Sequence, residues 1–293
     1  MIRKEKQKMS FKMMPTVLLA VCLIYSAAMA QESSTSNRQR TYSRADFVNV
    51  DGSSLTDKIA RAVNQFKGTK AGETVWLAYH FPARDGLTIG PFSGTIYRDE
   101  DGIRLERRDD PQGAAVFLLT DTSGARPIFT RVKLLSLNEP YLFENRAVYW
   151  LGNIDVGESL AQLEAIKREN PEDKAVVRGV LRAISVHNSP RVVPALKEVA
   201  QKEANIEFQR YAISSLSRVE TKESVDALIE LYDALNVDAA KEEVITGLSR
   251  SSERRATDKL LTIARNDSNP KLRQAAVRRL SSSQGSRFSV NWN

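Results

Sequence analysis

The sequence predicts an α+β N-terminal domain followed by an all-α solenoid of helix pairs, an α-α superhelix, and three patterns lead there. Between residues 73 and 137 short runs place apolar residues as β-strands do. From about residue 175 the apolar pattern recurs every 32 residues. Between the two lies RAVYWLGN (146–153), an aromatic stretch whose spacing assigns it to the second part.

The first element is an address. Arg3, Lys4, Lys6, Lys8 and Lys12 precede an apolar run over 17–28, and Ala28-Met29-Ala30 follows with small residues at a peptidase spacing. Basic, apolar, then small describes a cleavable secretory signal over 1–30, with cleavage after Ala30. The apolar run is well short of the ~20 residues that span a bilayer. The expectation is export, to a periplasm or beyond, with no membrane span after cleavage. Cys22, the only cysteine, lies in this run, so the mature chain has no disulfide, thiolate metal site or cysteine nucleophile. Removing the leader's five basic residues and Glu5 takes the net charge from +7 to about +3, a weak basis for nucleic-acid binding. Residues 31–43 are polar and aperiodic and read as a flexible linker.

Residues 44–143 read as a small domain with an antiparallel sheet. SLTDKIARAVNQF (54–66) puts Leu55, Ile59, Ala62, Val63 and Phe66 on one helical face behind Ser54 and Asp57 as a cap. Strand-like runs follow at 73–81, 93–98, 102–108, 114–120 and 128–137, the second and third joined by a turn at Asp99-Glu100-Asp101-Gly102.

Residues 144–285 carry the repeats. Ile184, Leu216, Leu248 and Leu280 are spaced by 32, as are Leu181, Ile213, Ile245 and Val277. Leu196, Leu228 and Leu260 form a second set. Within a unit the spacing is helical, and caps or breakers fall at Asn188-Ser189-Pro190, Thr221, Ser252 and Asn269-Pro270. Each unit is a helix A followed by a helix B, and stacking buries stripes that neither helix hides alone. A further step back of 33 residues lays Ala147, Val148 and Leu151 on Val180, Leu181 and Ile184, so RAVYWLG reads as helix A of an extra first repeat. That predicts about four helix pairs plus a final helix. As the terminal rung it needs covering, and Tyr149 and Trp150 are expected to form an interdomain cap against Leu134 to Leu137. A small residue recurs at Gly152, Ser185, Ser217, Ser249 and Ser281, where helix A is expected to turn tightly against helix B.

The units resemble HEAT repeats of the bacterial type, most clearly in DSNPKLRQAAVRRL (267–280). There Asp267, Pro270, Arg273, Ala276 and Leu280 stand where that family places its turn residues and anchors. RYAISSLS (210–217) and EEVITGLS (242–249) are looser copies. The resemblance covers about half the chain and implies B helices along the concave side. Some HEAT-like proteins are metal hydroxylases built on several His-Glu pairs, but this chain has only His80 and His187, neither followed by Glu.

No catalytic residue, metal ligand or cofactor is expected. The acidic turn Asp99–Asp101 lacks the ligand register of a calcium loop, and no G-x-S-x-G elbow or phosphate-binding glycine loop occurs. On the outer side of helix B, Glu198, Gln201, Asp226, Glu230, Asp233, Asp258, Thr262 and Arg265 form a mostly acidic candidate partner-binding face. Helix A leans the other way, with Arg178, Arg182, Arg210 and Arg278. The expected function is an exported, non-enzymatic scaffold whose partner is another protein or peptide. The alternative is an enzyme or small-ligand binder with Tyr79, His80 and Arg84 lining a pocket in the N-terminal domain. The tail 286–293 is expected to fold back over the last repeat.

Overall fold

The structure, a computed structural model, describes residues 41–69, 71–84, 97–98, 104–105, 114–137 and 141–288. The expected signal over 1–30, most of the linker, the Asp99–Asp101 turn and the last five residues of the tail lie outside that range.

The described chain opens with β1 (Thr41–Tyr42), a single 3-10 turn and β2 (Val48–Asn49), then helix α1 (Leu55–Thr69). The predicted stripe Leu55, Ile59, Ala62, Val63 and Phe66 is the buried face of α1, and Ser54 Oγ accepts from the Asp57 N–H at 3.2 Å as its cap. Strand β3 (Thr74–His80) follows, then the short antiparallel pair β4 (Tyr97–Arg98) and β5 (Arg104–Leu105), then β6 (Ala114–Asp121) and β7 (Ile128–Ser136). Strands β3, β6 and β7 form an antiparallel meander. Strand β8 (Tyr141–Leu142) joins β1 and β5 in a small second sheet.

RAVYWLGN is not a helix. Residues Val148–Asn153 form strand β9, which lies parallel to both β2 and β3 inside the main sheet, in the order β2-β9-β3-β6-β7. The sheet is therefore mixed where an antiparallel one was expected. The chain between β7 and β9 is long enough to bring β9 in beside β3 in the same direction. Burial explains the choice of strand. Val148 and Trp150 enter one core with Trp76, Phe117 and Phe143, while Tyr149 and Leu151 enter the opposite core with Leu77 and α1. Burial on both faces with period two suits β-branched and aromatic residues in a central strand and gives a helix no dry side. A continuous apolar run matches helical columns and strand alternation equally well, which is why the 33-residue offset misleads at this point. Tyr149 and Trp150 thus point to opposite faces, and strands β3 and β6 separate β9 from Leu134 and Leu135 on β7. They build the sheet itself, and no cap at a domain junction is formed as expected. Gly152 has φ +79° where β9 shifts register beside His80, a conformation that favours glycine.

The helices begin at α2 (Val156–Glu169) and continue as α3 (Lys174–Ser185), α4 (Val192–Lys202), α5 (Ile206–Ser217), α6 (Lys222–Ala234), α7 (Asp238–Arg250), α8 (Arg254–Asn266) and α9 (Pro270–Phe288). Helices α3, α5, α7 and α9 are the A layer; α4, α6 and α8 are the B layer. Leu160, Leu163 and Ile166 of α2 are buried at the expected B-helix columns. Helix α2 is therefore a B helix without its A partner, and three pairs plus α9 follow it instead of four. The anticipated terminal residues 286–288 continue α9. Asp155, Asp173, Asn205 and Thr221 cap α2, α3, α5 and α6 with side-chain oxygens on first-turn N–H groups. Ser189, before Pro190, and Ser252 are not the N-caps: α4 starts after Arg191, two residues further on, and α8 after Glu253, one residue further on. Three of the four recurrent serines close their A helices, whereas Ser281 lies within α9. Ser185, Ser217 and Ser249 each donate their hydroxyl to the carbonyl three residues back, at 2.7 to 2.8 Å.

One buried cluster runs without a break from α1 and the sheet through α9, and from Thr41 onward the chain is a single compact unit. The joint is α3 on β7. Gly179 makes it possible: a Cβ there would lie 2.2 Å from the Val132 carbonyl oxygen and 2.9 Å from Val132 Cβ. In an ordinary helix interior Gly→Ala stabilises by about 1 kcal/mol. Here the backbone contact reverses the sign. Gly179→Ala is expected to destabilise the chain by roughly 1–3 kcal/mol, read as a lowered urea midpoint; an unchanged or raised midpoint would contradict the close approach.

Candidate functional site

The three residues of the candidate pocket end β3 and start the segment after it; the structure uses Tyr79 and Arg84 to fasten sheet to helices and His80 within the sheet. Tyr79 is fully buried, and its hydroxyl is 3.0 Å from Ser159 Oγ on α2. Ser159 Oγ lies 2.7 Å from His187 Nε2, and His187 Nδ1 lies 2.8 Å from the Ala183 carbonyl. That carbonyl only accepts, so Nδ1 carries the imidazole proton and Nε2 accepts from Ser159. Tyr79 then donates to Ser159, and every polar atom in the row is satisfied. Phe81 stacks flat on the His187 ring, with centroids 3.9 Å apart. A serine and histidine in hydrogen-bond contact are one half of a nucleophilic site. Here both are 0% exposed, so the hydroxyl meets no substrate, and the imidazole's other nitrogen is held by a backbone carbonyl where a triad has a carboxylate. Burial holds the His187 pKa down at about 4, opposed by backbone bonds from Ala183 and Ile184, and burial raises that of Tyr79.

His80 Nδ1 sits 2.9 Å from the Ala114 carbonyl, within the sheet. The backbone then crosses to the helices. Ala83 bridges His187 in antiparallel fashion, Arg84 N–H donates to the Val186 carbonyl at 3.0 Å, and Asn188 N–H donates to Pro82 at 3.2 Å. The Arg84 guanidinium reaches the C-terminal ends of two A helices. It donates to Ser185 O at 3.2 Å, to Arg218 O at 2.9 Å and to Val219 O. These are carbonyls that helix ends leave without partners, and a cation there also complements the helix dipoles. Beside them Glu220 adopts φ +54°, an unusual conformation for a residue other than glycine, and its carboxylate acts on Arg84. The arrangement is a clamp, with its polar groups directed at protein atoms.

On the solenoid surface, the eight residues of the candidate partner face lie on α4, α6 and α8, with Asp226 part-buried and the rest exposed. The face is not acidic in effect, because each of its carboxylates has a basic neighbour. Glu198 pairs with Lys202 at 2.8 Å, Asp233 with Lys259 at 2.6 Å and Asp258 with Arg254 at 3.8 Å, while Glu230 pairs with Lys197 and Asp226 with Arg255. Thr262 bonds back to the Asp258 carbonyl. Most of these pairs are exposed and contribute little stability, but they cancel the charge that the sequence columns suggested. The A layer differs. Arg218 and Arg250, one repeat apart, extend the arginines already visible at 178, 182, 210 and 278; the 32-residue column was the signal for them.

Among the described residues no three His, Cys, Asp or Glu side chains converge as a metal site, and no helix is long and apolar enough to cross a membrane.

Two outcomes test the clamp. The unfolded imidazole titrates near 6.5 and the folded one near 4, so as pH falls through that window the unfolded state takes up the proton first. Stability is expected to drop by up to about 3 kcal/mol from this group between pH 6.5 and 4, and to be insensitive to it above 6.5. Urea midpoints across the window should fall less steeply in His187→Gln than in the wild type; parallel slopes would refute the assignment. Arg84→Leu leaves helix-end carbonyls unpaired and is expected to cost about 1–3 kcal/mol, with faster amide exchange in the turns after Ser185 and Ser217.

Residues 199–281 match a protein family described as HEAT repeats. No curated protein matches the chain significantly. The matched segment spans α5 to α8 and most of α9. Its motif residues have physical roles here: Asp267 accepts from Tyr232 at 2.6 Å and from the Asn269 N–H at 2.8 Å, Pro270 opens α9, and Arg273 donates to the Asp267 carbonyl at 2.7 Å. The C-terminal half of the chain is a HEAT-repeat domain.

Proposed function

We propose that this protein is an exported, non-enzymatic scaffold that binds another protein through the surface of its HEAT repeats. HEAT repeats commonly serve as protein-interaction scaffolds, because stacked pairs present a long, rigid face. The observation that carries the reading here is the use made of Tyr79, Ser159, His187 and Arg84. The side chains best suited to chemistry are turned inward and joined to one another or to helix ends, which supports a structural role for them. The continuous core from sheet to α9 supports a rigid display, since the N-terminal domain acts as a fixed end cap for the first helices. Export rests on the basic, apolar and small-residue order of residues 1–30.

Two experiments test the two halves of this proposal. Alkaline phosphatase fused after Ser43 is expected to be active when expressed in a bacterial host and inactive when residues 1–30 are deleted; activity without the leader, or none with it, removes the export claim. The full chain, tagged at its C-terminus, is expected to retain a stoichiometric protein partner from the exported fraction of its source cells. Retention of nothing by the folded wild type would defeat the scaffold reading.

A further inference from the structure

The A layer carries a cluster of exposed arginines that the fold does not explain. Positions four apart on a helix share a face, and positions 32 apart repeat it on the next A helix. Three such columns, one turn apart, hold Arg178 and Arg210, then Arg182 and Arg278, then Arg218 and Arg250, against a single acid, Glu242. All six arginines are exposed. Arg210 is paired with Glu243 at 3.3 Å, and Glu207 is taken by Lys174 at 2.6 Å. Arg178, Arg218, Arg250 and Arg278 have no carboxylate at ion-pair distance among the described residues. Arg178 lies over the Tyr211 ring at 5.6 Å, and Arg250 donates to Ser217 Oγ at 3.1 Å. Partial burial lowers the Arg218 pKa, Arg250 and Arg178 lower it further, and Glu243 opposes them. On the B layer, by contrast, Glu198, Asp226, Glu230, Asp233 and Asp258 are each paired with a base. Unopposed like charges held side by side oppose folding and are relieved when an anion docks.

Between α7 and α9 the same face opens into a cleft of about 360 Å³. Its floor includes the buried Ile245 and Ala275, and Thr246, Arg278, Arg279 and Ser282 stand around it with Glu242. Arg279 donates to Thr246 Oγ1 at 3.1 Å and so bridges the two helices. An apolar floor beneath guanidinium groups suits a small apolar side chain flanked by carboxylates. Glu242 on the wall would repel a bare polyphosphate, whereas the amide N–H of a peptide can donate to it.

We infer that the A-helix face, from Arg178 to the α7–α9 cleft, is the partner-binding surface and that it takes an acidic segment of another polypeptide carrying an apolar side chain. This rests on the scaffold reading above and names the surface and the chemistry of the partner. Electrostatic attraction of this kind speeds encounter and weakens with salt.

The test uses the full chain and a short fluorescein-labelled peptide, glutamate-rich with one central leucine, followed by fluorescence anisotropy at low and at physiological salt. The wild type is expected to bind it saturably and more weakly at higher salt. The triple variant Arg218→Glu, Arg250→Glu and Arg278→Glu is expected to lose about tenfold or more in affinity. A control with the same change in net charge, Lys197→Glu, Lys202→Glu and Lys259→Glu on the B layer, is expected to bind as the wild type does. The milder triple Arg→Gln variant should give a smaller loss in the same order and does not depend on tolerance of charge reversal. No binding by the wild type, or an equal loss in the B-layer control, overturns the inference. So does tighter binding to phosphatidylglycerol vesicles or to single-stranded DNA than to the peptide. If the wild type captures a protein partner and the A-layer variant captures it equally, this surface is wrong and the scaffold reading stands. If the folded wild type captures none, it is the scaffold reading that falls.

Discussion

The contact on which the rest of the molecule depends is the approach of α3 to β7 at Gly179 and Val132. A solenoid of helix pairs has two ends, and each exposes a layer of apolar side chains unless something covers it. A sheet has two edges, and an uncovered edge strand invites pairing with other chains. Setting α3 against β7 addresses both needs at once, because the helix shelters the strand while the strand stands where an earlier A helix would lie. The contact is close enough that only a residue without a Cβ fits. Everything beyond it, from α5 to α9, inherits its position from α3 by repetition.

The clamp at residues 79–84 explains why this joint is rigid. Packing alone fixes the distance between two elements better than their rotation, since apolar contacts have little directionality. Hydrogen bonds supply the direction. Arg84 reaches the ends of α3 and α5 together, so the first two A helices cannot rotate independently of the sheet without stranding carbonyls. The row from Tyr79 through Ser159 to His187 ties β3 to α2 and to the end of α3 in the same way. A fully satisfied polar network inside a core specifies one arrangement, and a half-satisfied one would be worse than none.

Much of this was legible in the residues, and the division between legible and hidden has a physical basis. The α1 stripe, the helix pairs after residue 175, the Thr221 and Asn269-Pro270 boundaries and the resemblance to HEAT repeats all follow from local periodicity and capping, which depend on near neighbours in sequence. Strand β9 was misread because VYWL is apolar at every position; a run without polar punctuation leaves the period undetermined, and only its burial on two faces decides it. The contact of Tyr79, Ser159 and His187 joins residues far apart in sequence, and no spacing rule reaches across a sheet, a helix and a turn. Gly179 carried a signal of another sort: a glycine in mid-helix without a capping role usually marks a close approach. The acidic columns of the B layer were real, but their partners come from the next helix, so a column read alone gave the wrong net charge.

That last point bears on where the proposed partner would dock. In a stacked repeat, a charged position is seen by its own column and by the columns that interleave with it, and only the sum reaches solvent. Lys197 and Lys259 interleave with Glu230 and Asp233, so the B layer offers a partner alternating charges that are already engaged. Binding there requires breaking pairs in exchange for new ones, with little net gain. On the A layer Glu207 and Glu243 are taken by Lys174 and Arg210, and Arg178 and Arg250 meet a tyrosine ring and a serine hydroxyl, so a docking anion has no ion pair to break at Arg178, Arg218, Arg250 and Arg278. The geometry of the repeat keeps these groups about a helix spacing apart, roughly 8–10 Å, which an extended polypeptide matches with carboxylates about every third residue. The same regularity that makes the repeats recognisable in sequence therefore sets the spacing of what they can hold.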